Sequence, residues 1–298
     1  MFELILIILE QVFIYLPLIA GAYISFSLMK VPNLSIEATY VTGAIFASGA
    51  LEFGTNLASP FIIIFVVLAS ILGGCFVGLI VYFIQAELKI PHLLSNILVL
   101  GILYGTNLYL LGSGNKSLSS LINPLLLTTV FQAHPELVGL ALVSCTALLA
   151  VFLLFKTQIG YSLAIYGNNP NFFNNYGISS KFITCFGLIL SNALAGISGY
   201  LSAQTNGFVD INAGQGISLF CITALILGKT VLKSENKITI FIPLLGLIAY
   251  CSLQQLLVNV GFNLKYFTLI QSLIVLGILA KKYQYHDSNK SATDLLGI

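Results

Sequence analysis

Apart from tyrosine, the ionisable and nucleophilic side chains in these 298 residues are ten acidic residues, twelve lysines, three histidines and five cysteines. No catalytic pattern emerges from them. Cys75, Cys145, Cys185, Cys221 and Cys251 each sit inside a long apolar run, with no CxxC pair and no histidine at ligand spacing, as small apolar packing residues do. His92, His134 and His286 lie far apart in loops or at helix ends, so no metal site is readable and no cofactor is implied. A G-x-x-x-x-G-K-[ST] loop is also missing, and the chain therefore cannot cradle and hydrolyse a nucleotide itself.

The polar chemistry gathers instead in three segments that interrupt apolar sequence. Lys30-Val-Pro-Asn-Leu-Ser-Ile-Glu-Ala-Thr39 carries Asn33, Ser35 and Glu37. Pro32 ends the preceding helix, and Asn33 or Ser35 can cap the next one with Glu37 in its first turn. This is either a tight turn or a discontinuous helix beside a translocation path, where loose backbone groups are tolerated because they line a polar cavity. Gln204-Thr-Asn-Gly-Phe-Val-Asp-Ile-Asn-Ala-Gly-Gln-Gly216 sets Asn206, Asp210 and Asn212 among three glycines, a composition for a sharp, internally hydrogen-bonded bend. It is either an external loop or a bend dipping into the bundle. The third segment, Lys156 to Lys181, has no charge between its end lysines. Leu163, Ala164 and Tyr166 fit a short helix, and Gly167-Asn168-Asn169-Pro170 is turn chemistry. Pro170 can open a second helix through Phe172, Phe173 and Tyr176 that Gly177 ends. A surface helix-turn-helix this aromatic and this uncharged suits docking of a protein partner better than an idle loop.

The elements that position these segments are membrane helices. Mean hydropathy is +1.00, with 58% hydrophobic and 7% charged residues, against roughly 25% charged in soluble domains. A soluble enzyme, a disordered scaffold and, at net charge +2, a nucleic-acid binder are all excluded. Apolar runs near the bilayer-spanning length of about 20 residues predict helices at about 4–28, 38–52, 60–84, 93–111, 137–155, 182–203, 217–231, 238–258 and 266–280. Alternating ten-residue barrel segments are absent. The expected fold is all-α: a polytopic membrane helix bundle of about nine spans in a single domain, 1–298, with a tail at 281–298. Ala20-Gly21-Ala22 resembles a signal cleavage site, but Glu3 and Glu10 precede it without any lysine, so the first helix reads as retained.

Every basic residue is a lysine. Alternating nine spans places Lys30, Lys89, Lys156, Lys181, Lys229, Lys233, Lys237, Lys281, Lys282 and Lys290 on one side and Lys116 and Lys265 on the other. The rule that positive charge stays inside then sets the N-terminus outside and the C-terminus in the cytoplasm.

Gly160-Tyr-Ser-Leu-Ala-Ile-Tyr-Gly-Asn-Asn-Pro170, Asn175-Tyr-Gly-Ile178 and Leu190-Ser-Asn-Ala-Leu-Ala-Gly-Ile-Ser-Gly199 resemble a stretch of the permeases of bacterial ABC importers, of the branched-chain amino acid and ribose type. Pro32-Asn-Leu-Ser-Ile-Glu-Ala38 and Gly207-Phe-Val-Asp-Ile-Asn-Ala-Gly-Gln-Gly216 are similar to two further motifs of that family, in the same order, with the first most like tryptophan- or tyrosine-type permeases. The likeness runs from about residue 15 to 282. Ile165 stands where the family usually has Arg, and Asn33 where it has Asp. The resemblance implies a dimeric permease in a bacterial inner membrane, a cytoplasmic ATPase dimer docked on the coupling segment 156–181, and a periplasmic or lipid-anchored substrate-binding protein. It also implies a small solute, an aromatic or branched-chain amino acid. The rival class, an ion-coupled secondary transporter, relies on intramembrane ionisable groups, for which Glu10, Glu37 and Asp210 are the candidates.

Overall fold

The computed structural model describes residues 2–54, 59–121, 123–126, 136–175, 179–232, 239–262, 266, 268–277 and 280. They form an α-helical bundle: α1 (Phe2–Ala22), a π-helical turn (Tyr23–Leu28), α2 (Ile36–Phe53), α3 (Ser59–Ala86), α4 (His92–Leu111), α5 (Leu137–Phe155), α6 (Gln158–Asn168), α7 (Phe172–Asn175), α8 (Ser180–Asn206), α9 (Ile217–Leu232) and α10 (Phe241–Asn259). A shorter apolar helix, α11 (Thr268–Gly277), follows. The only regular strands among the described residues, β1 (Asn115–Ser117) and β2 (Phe208–Asp210), pair antiparallel with Asn115 opposite Asp210. Each expected span overlaps a described helix. Six helical stretches, 3–28, 61–86, 92–111, 137–155, 180–206 and 241–259, are long and apolar enough to cross a membrane.

At the centre stands α8, packed against α1, α2 and α3. Its 27 residues would span the hydrocarbon core with a turn or two to spare, at 1.5 Å of rise per residue. Small residues let the backbones close in: a Cβ built on Gly43 of α2 would lie within 2.7 Å of three backbone atoms of Gly196, and one on Gly196 would lie 2.5 Å from the carbonyl oxygen of Ser70 in α3. Apolar burial gives little drive where lipid is the alternative, so such close packing and interhelical hydrogen bonds hold membrane helices together. Ser198 Oγ donates to the Ile14 carbonyl at 2.5 Å, and Ser144 Oγ to that of Phe13 at 2.5 Å, fixing α8 and α5 to α1.

Two helices begin inside the bundle instead of at its surface. Ser35, at the start of α2, and Thr39 both bond to Asn192, the middle of α8, and α2 packs on the second half of that helix, with Gly43 against Gly196 and Tyr40 against Gly199. For α9, the first turn meets the first turn of α2: the Ser218 backbone N–H donates to Glu37 Oε1 at 3.2 Å. The segments between the helix pairs, 29–35 and 207–216, thus fold back into the protein.

Candidate functional site

The entry to α2 is built from wide and left-handed turns. Met29 N–H donates to the Ile24 carbonyl at 2.9 Å, the i→i+5 pairing of a π-turn, a geometry frequent at functional sites. Lys30 then takes φ +55°, a conformation that costs a side-chain-bearing residue about 1–2 kcal/mol. Asn33 and Ser35 are wholly buried. The expectation that one of them caps α2 is not met, since the Ser35 N-cap makes no side-chain capping bond. Its hydroxyl turns sideways to Asn33 Oδ1 at 2.5 Å and Asn192 Oδ1 at 3.0 Å, and Thr39 Oγ1 reaches the same Asn192 oxygen at 2.7 Å. Asn33 Nδ2 donates to Ser191 Oγ at 3.4 Å, and Asn96 Nδ2 to the Pro32 carbonyl at 2.7 Å. With no water inside a bilayer, polar groups at a break must find partners within the protein, and satisfying α8 and α4 outranks capping.

The second bend behaves as its composition predicts. Gly207 closes α8 at φ +75°, and Gly216 at φ +80° opens α9. Between them Asp210 Oδ1 accepts from the Asn212 backbone N–H at 2.9 Å, and Gln215 Nε2 donates to Asn212 Oδ1 at 3.1 Å. This bend forms one wall of a cavity of about 520 Å³, lined also by Glu10, Gln11 and Tyr15 of α1, Ser202, Thr205 and Asn206 of α8, Ile217 and Phe220 of α9, Tyr250 and Gln254 of α10, and Gln271 of α11. A neighbouring cavity of about 220 Å³ shares Ser202, Asn206 and Ala213 with it and reaches Tyr40 and Asp210. Tyr15, Phe220 and Tyr250 meet edge to face, with ring centroids 5.0 and 4.6 Å apart, and Gln271 donates to the Tyr250 hydroxyl. Flat apolar rings set among amides, hydroxyls and the Glu10 carboxyl group suit a small solute that has both an apolar and a hydrogen-bonding part.

Of the expected path residues, Asn206 and Asp210 face these cavities. Glu37 lines a smaller space of about 70 Å³ with Tyr104, Asn107 and Gln215. Asn212 is exposed and pins the bend, whereas Asn33 and Ser35 sit behind it in the hydrogen-bond network. Behind Thr205 is Glu136, whose carboxyl is held above its usual value by burial, an effect opposed by hydrogen bonds from Thr205 and Asn123 and reinforced by nearby Glu10. The aromatic lining was hidden in the sequence because Tyr15, Phe220 and Tyr250 lie inside apolar runs, where a path ring and a packing ring look alike.

At the other end of the bundle lies α6. Thr157 caps it through the Gly160 N–H at 3.4 Å. Leu163 is fully buried and meets Met29 over Gly187 of α8, and Gly167 packs so tightly on the Leu28 carbonyl that no Cβ would fit. Lys30 Nζ donates to Asn168 Oδ1 at 2.7 Å. Phe173 is buried, Tyr166 and Phe172 pack partly against the core, and Asn169 and Pro170 are exposed in the turn. The outward face of α6 carries Tyr161 at 57% exposure and Ile165 at 37%, one turn apart and opposite Leu163, while Ile159 is exposed at the start of the helix. Sequence reasoning did not single out Tyr161, although its spacing of two residues from Leu163, which puts it on the opposite side of a helix, was the available signal. Tyr176, Gly177, the segment 233–238 and the tail 281–298 lie outside the described residues.

Comparison with known proteins agrees with this architecture. The family described as "Branched-chain amino acid transport system / permease component" matches residues 4–279. An uncharacterized protein of Rickettsia prowazekii is 34% identical over 260 residues, 86% of this chain and 89% of its own. The tyrosine transport system permease protein of Clostridioides difficile is 36% identical over 217 residues, 72% of this chain and 68% of its own. The autoinducer 2 import system permease protein LsrC of Yersinia pestis is 27% identical over 260 residues, 84% of this chain and 70% of its own. No solved structure matches. These relatives are transport permeases where a function is named, not enzymes, and the chain is itself a multi-pass membrane protein that belongs to the branched-chain amino acid and ribose-type family of ABC-importer permeases.

Proposed function

We propose that this chain carries an amino acid with an aromatic or branched side chain across the bacterial inner membrane, as one of two identical permease subunits of an ATP-driven importer. The observation that carries the reading is the placement of two unlike features at opposite ends of α8. One end has the cavity of about 520 Å³ with its rings and amides. The other has α6, seated by Leu163, Gly167 and Phe173 and presenting an uncharged, partly apolar face. Solute delivered by a periplasmic or lipid-anchored binding protein enters past Asn206 and Asp210. A cytoplasmic ATPase dimer docks on α6 and the following turn, with Tyr166, Asn168, Asn169, Pro170 and Phe172 beside the exposed Tyr161 and Ile165; Tyr176 and Gly177, further candidates for this contact, lie outside the described residues. Asn33, Ser35 and Glu37 hold the broken backbone beside the path. The named substrate of the tyrosine permease relative supports the aromatic choice, as do the Tyr15, Phe220 and Tyr250 rings.

In this reading α2, α9 and α11 join the six long apolar helices as shorter or broken spans, for about nine in all. The cavity end then faces outward with the N-terminus, and the lysine-rich α6 end and the C-terminus face the cytoplasm. Closure of the ATPase dimer moves α6 as a rigid body and repacks the spans around the cavity. The test is a vesicle assay with the permease, its ATPase and its binding protein. Tyr161→Glu combined with Ile165→Glu is expected to abolish ATPase co-purification and uptake of labelled tyrosine or leucine while membrane insertion persists. Undiminished co-purification overturns the docking surface. Uptake of neither amino acid, with docking intact, overturns the solute.

A further inference from the structure

The stretch Met29 to Glu37, which leads from the π-turn into the first turn of α2, touches both functional ends of the molecule. At one end, Lys30 Nζ holds Asn168, the last residue of α6, at 2.7 Å, the Leu28 carbonyl sits against Gly167, and Met29 meets Leu163 over Gly187. At the other end, seven residues along the chain from Lys30, Glu37 Oε1 accepts the Ser218 N–H at 3.2 Å. Ser218 lies in the first turn of α9, next to the cavity-lining Gly216, Ile217 and Phe220. The Glu37 backbone also backs directly onto Gly214, in the bend that forms the cavity wall.

From this continuity we propose that residues 29–37 carry the motion of α6 to the cavity, with Lys30 and Glu37 as positioning residues at the two ends of that link. The proposal rests on α6 being the ATPase docking helix. The physics favours a link of this form. A carboxylate at a helix N-terminus holds that end by a charge-assisted bond and by the helix dipole, so displacing Glu37 frees the start of α9 and with it Phe220. Asn33 and Ser35, bonded to Ser191 and Asn192, give the segment a pivot on the middle of α8. Lys30, in its left-handed conformation, stores backbone strain at the point where α6 pulls, and such strain gathers at switch segments. Two contacts joined by a pivoted segment have the form that coupling between distant sites requires, namely an element that both sites bias.

The experiment measures solute uptake and ATP hydrolysis in the same vesicles holding the full transporter, for Lys30→Met, Lys30→Arg, Glu37→Ala, Glu37→Gln and the double variant Lys30→Met/Glu37→Ala. Uptake per ATP hydrolysed is expected to fall between about fivefold and about a hundredfold in Lys30→Met and Glu37→Ala, the usual span of coupling between sites. Lys30→Arg, which keeps a donor, and Glu37→Gln, which keeps an acceptor oxygen, should recover part of it. The double variant should fall no further than the worse single one, because both cut one chain of contacts. A loss of fold alone would lower uptake and hydrolysis together with the yield of assembled complex, leaving their ratio unchanged. An unchanged ratio in Lys30→Met, with the ATPase bound, overturns the link, as does full additivity of the two changes. Unimpaired ATPase binding to the Tyr161→Glu and Ile165→Glu protein removes the docking reading and this proposal with it.

Discussion

Substituting alanine for glycine at two positions of α2 separates packing from propensity within one helix. A Cβ on Gly43 would come within 2.7 Å of three Gly196 backbone atoms, whereas one on Gly49 would meet nothing within 4 Å. Ordinary contact begins near 3.4 Å, so Gly43→Ala must part α2 from α8 by close to 1 Å at their crossing, on the order of the overlap an inserted methyl creates. The Thr39 and Ser35 bonds to Asn192, 2.7 and 3.0 Å long, lie one turn or two away and would stretch past useful reach. Overpacking costs about 1–3 kcal/mol, and interhelical hydrogen bonds in membranes contribute about 0.6 kcal/mol each. Thr39 and Ser35 keep second acceptors in the Ser35 carbonyl and Asn33 Oδ1, but the buried Asn192 Oδ1 would lose both of these donors, an orphan cost of about 1–3 kcal/mol. Against this stands the helix preference of Ala over Gly, about 1 kcal/mol. Gly43→Ala should therefore lose about 2–6 kcal/mol and Gly49→Ala gain up to about 1 kcal/mol, a separation of roughly 3–7 kcal/mol. Denaturant titration of the purified protein in bicelles, followed by helical circular dichroism, measures both. Equal midpoints for the two variants would refute the account of α8 as the closely packed centre.

Three further outcomes follow from other contacts. The raised carboxyl of Glu136 favours the protonated form in the folded protein, so its burial costs nothing below the ordinary carboxylate value and costs progressively more as pH rises to its raised value. Glu136→Gln should stabilise the protein above that window and flatten the slope within it, as read from melting temperatures across a pH series; a steeper slope in the variant would count against the burial argument. Gly167→Ala has no room beside the Leu28 carbonyl and should displace α6, increasing proteolytic cleavage in the 156–175 region, whereas Gly105→Ala, in open space, should leave the digest unchanged. Cysteines at Ser202 and Gln215, which line the cavity, should react with a small aqueous thiol reagent, while a cysteine at the wholly buried Ser35 should be protected. Labelling in the reverse order would show that the cavity is not the aqueous space.

Much of the scaffold was legible because bilayer thickness imposes a length on apolar runs, and that length survives any ambiguity of residue type. Each expected span overlaps a described helix, and six of those helices are long and apolar enough to cross a membrane, for this reason; the charge-poor stretch after Lys156 marked α6 because a surface helix in water would ordinarily carry charge. Depth was much less legible. Pro32, Asn33 and Ser35 announce a helix start equally well at a membrane surface or inside a bundle, and local capping preference, which favoured a side-chain cap by Asn33 or Ser35, lost to the need of Asn192 for partners 157 residues away.

The candidate site in this fold is assembled by contacts of that long-range kind. Glu37 reads locally as a first-turn acid on α2, yet its carboxylate serves the start of α9, 181 residues on. Tyr15, Phe220 and Tyr250 read as three unrelated aromatics in apolar runs, yet they share one cavity face. In a soluble protein the pattern of apolar and polar residues separates core from surface; in a bilayer the outside is apolar as well, so the same pattern cannot separate a lipid-facing ring from a path-facing one. The polar breaks are the exception, since a break is stable in lipid only where protein or a water-filled space satisfies it. They were the part of the site that the sequence could reveal, and the structure joins them through Glu37 and Ser218 into a single feature at the edge of the cavity.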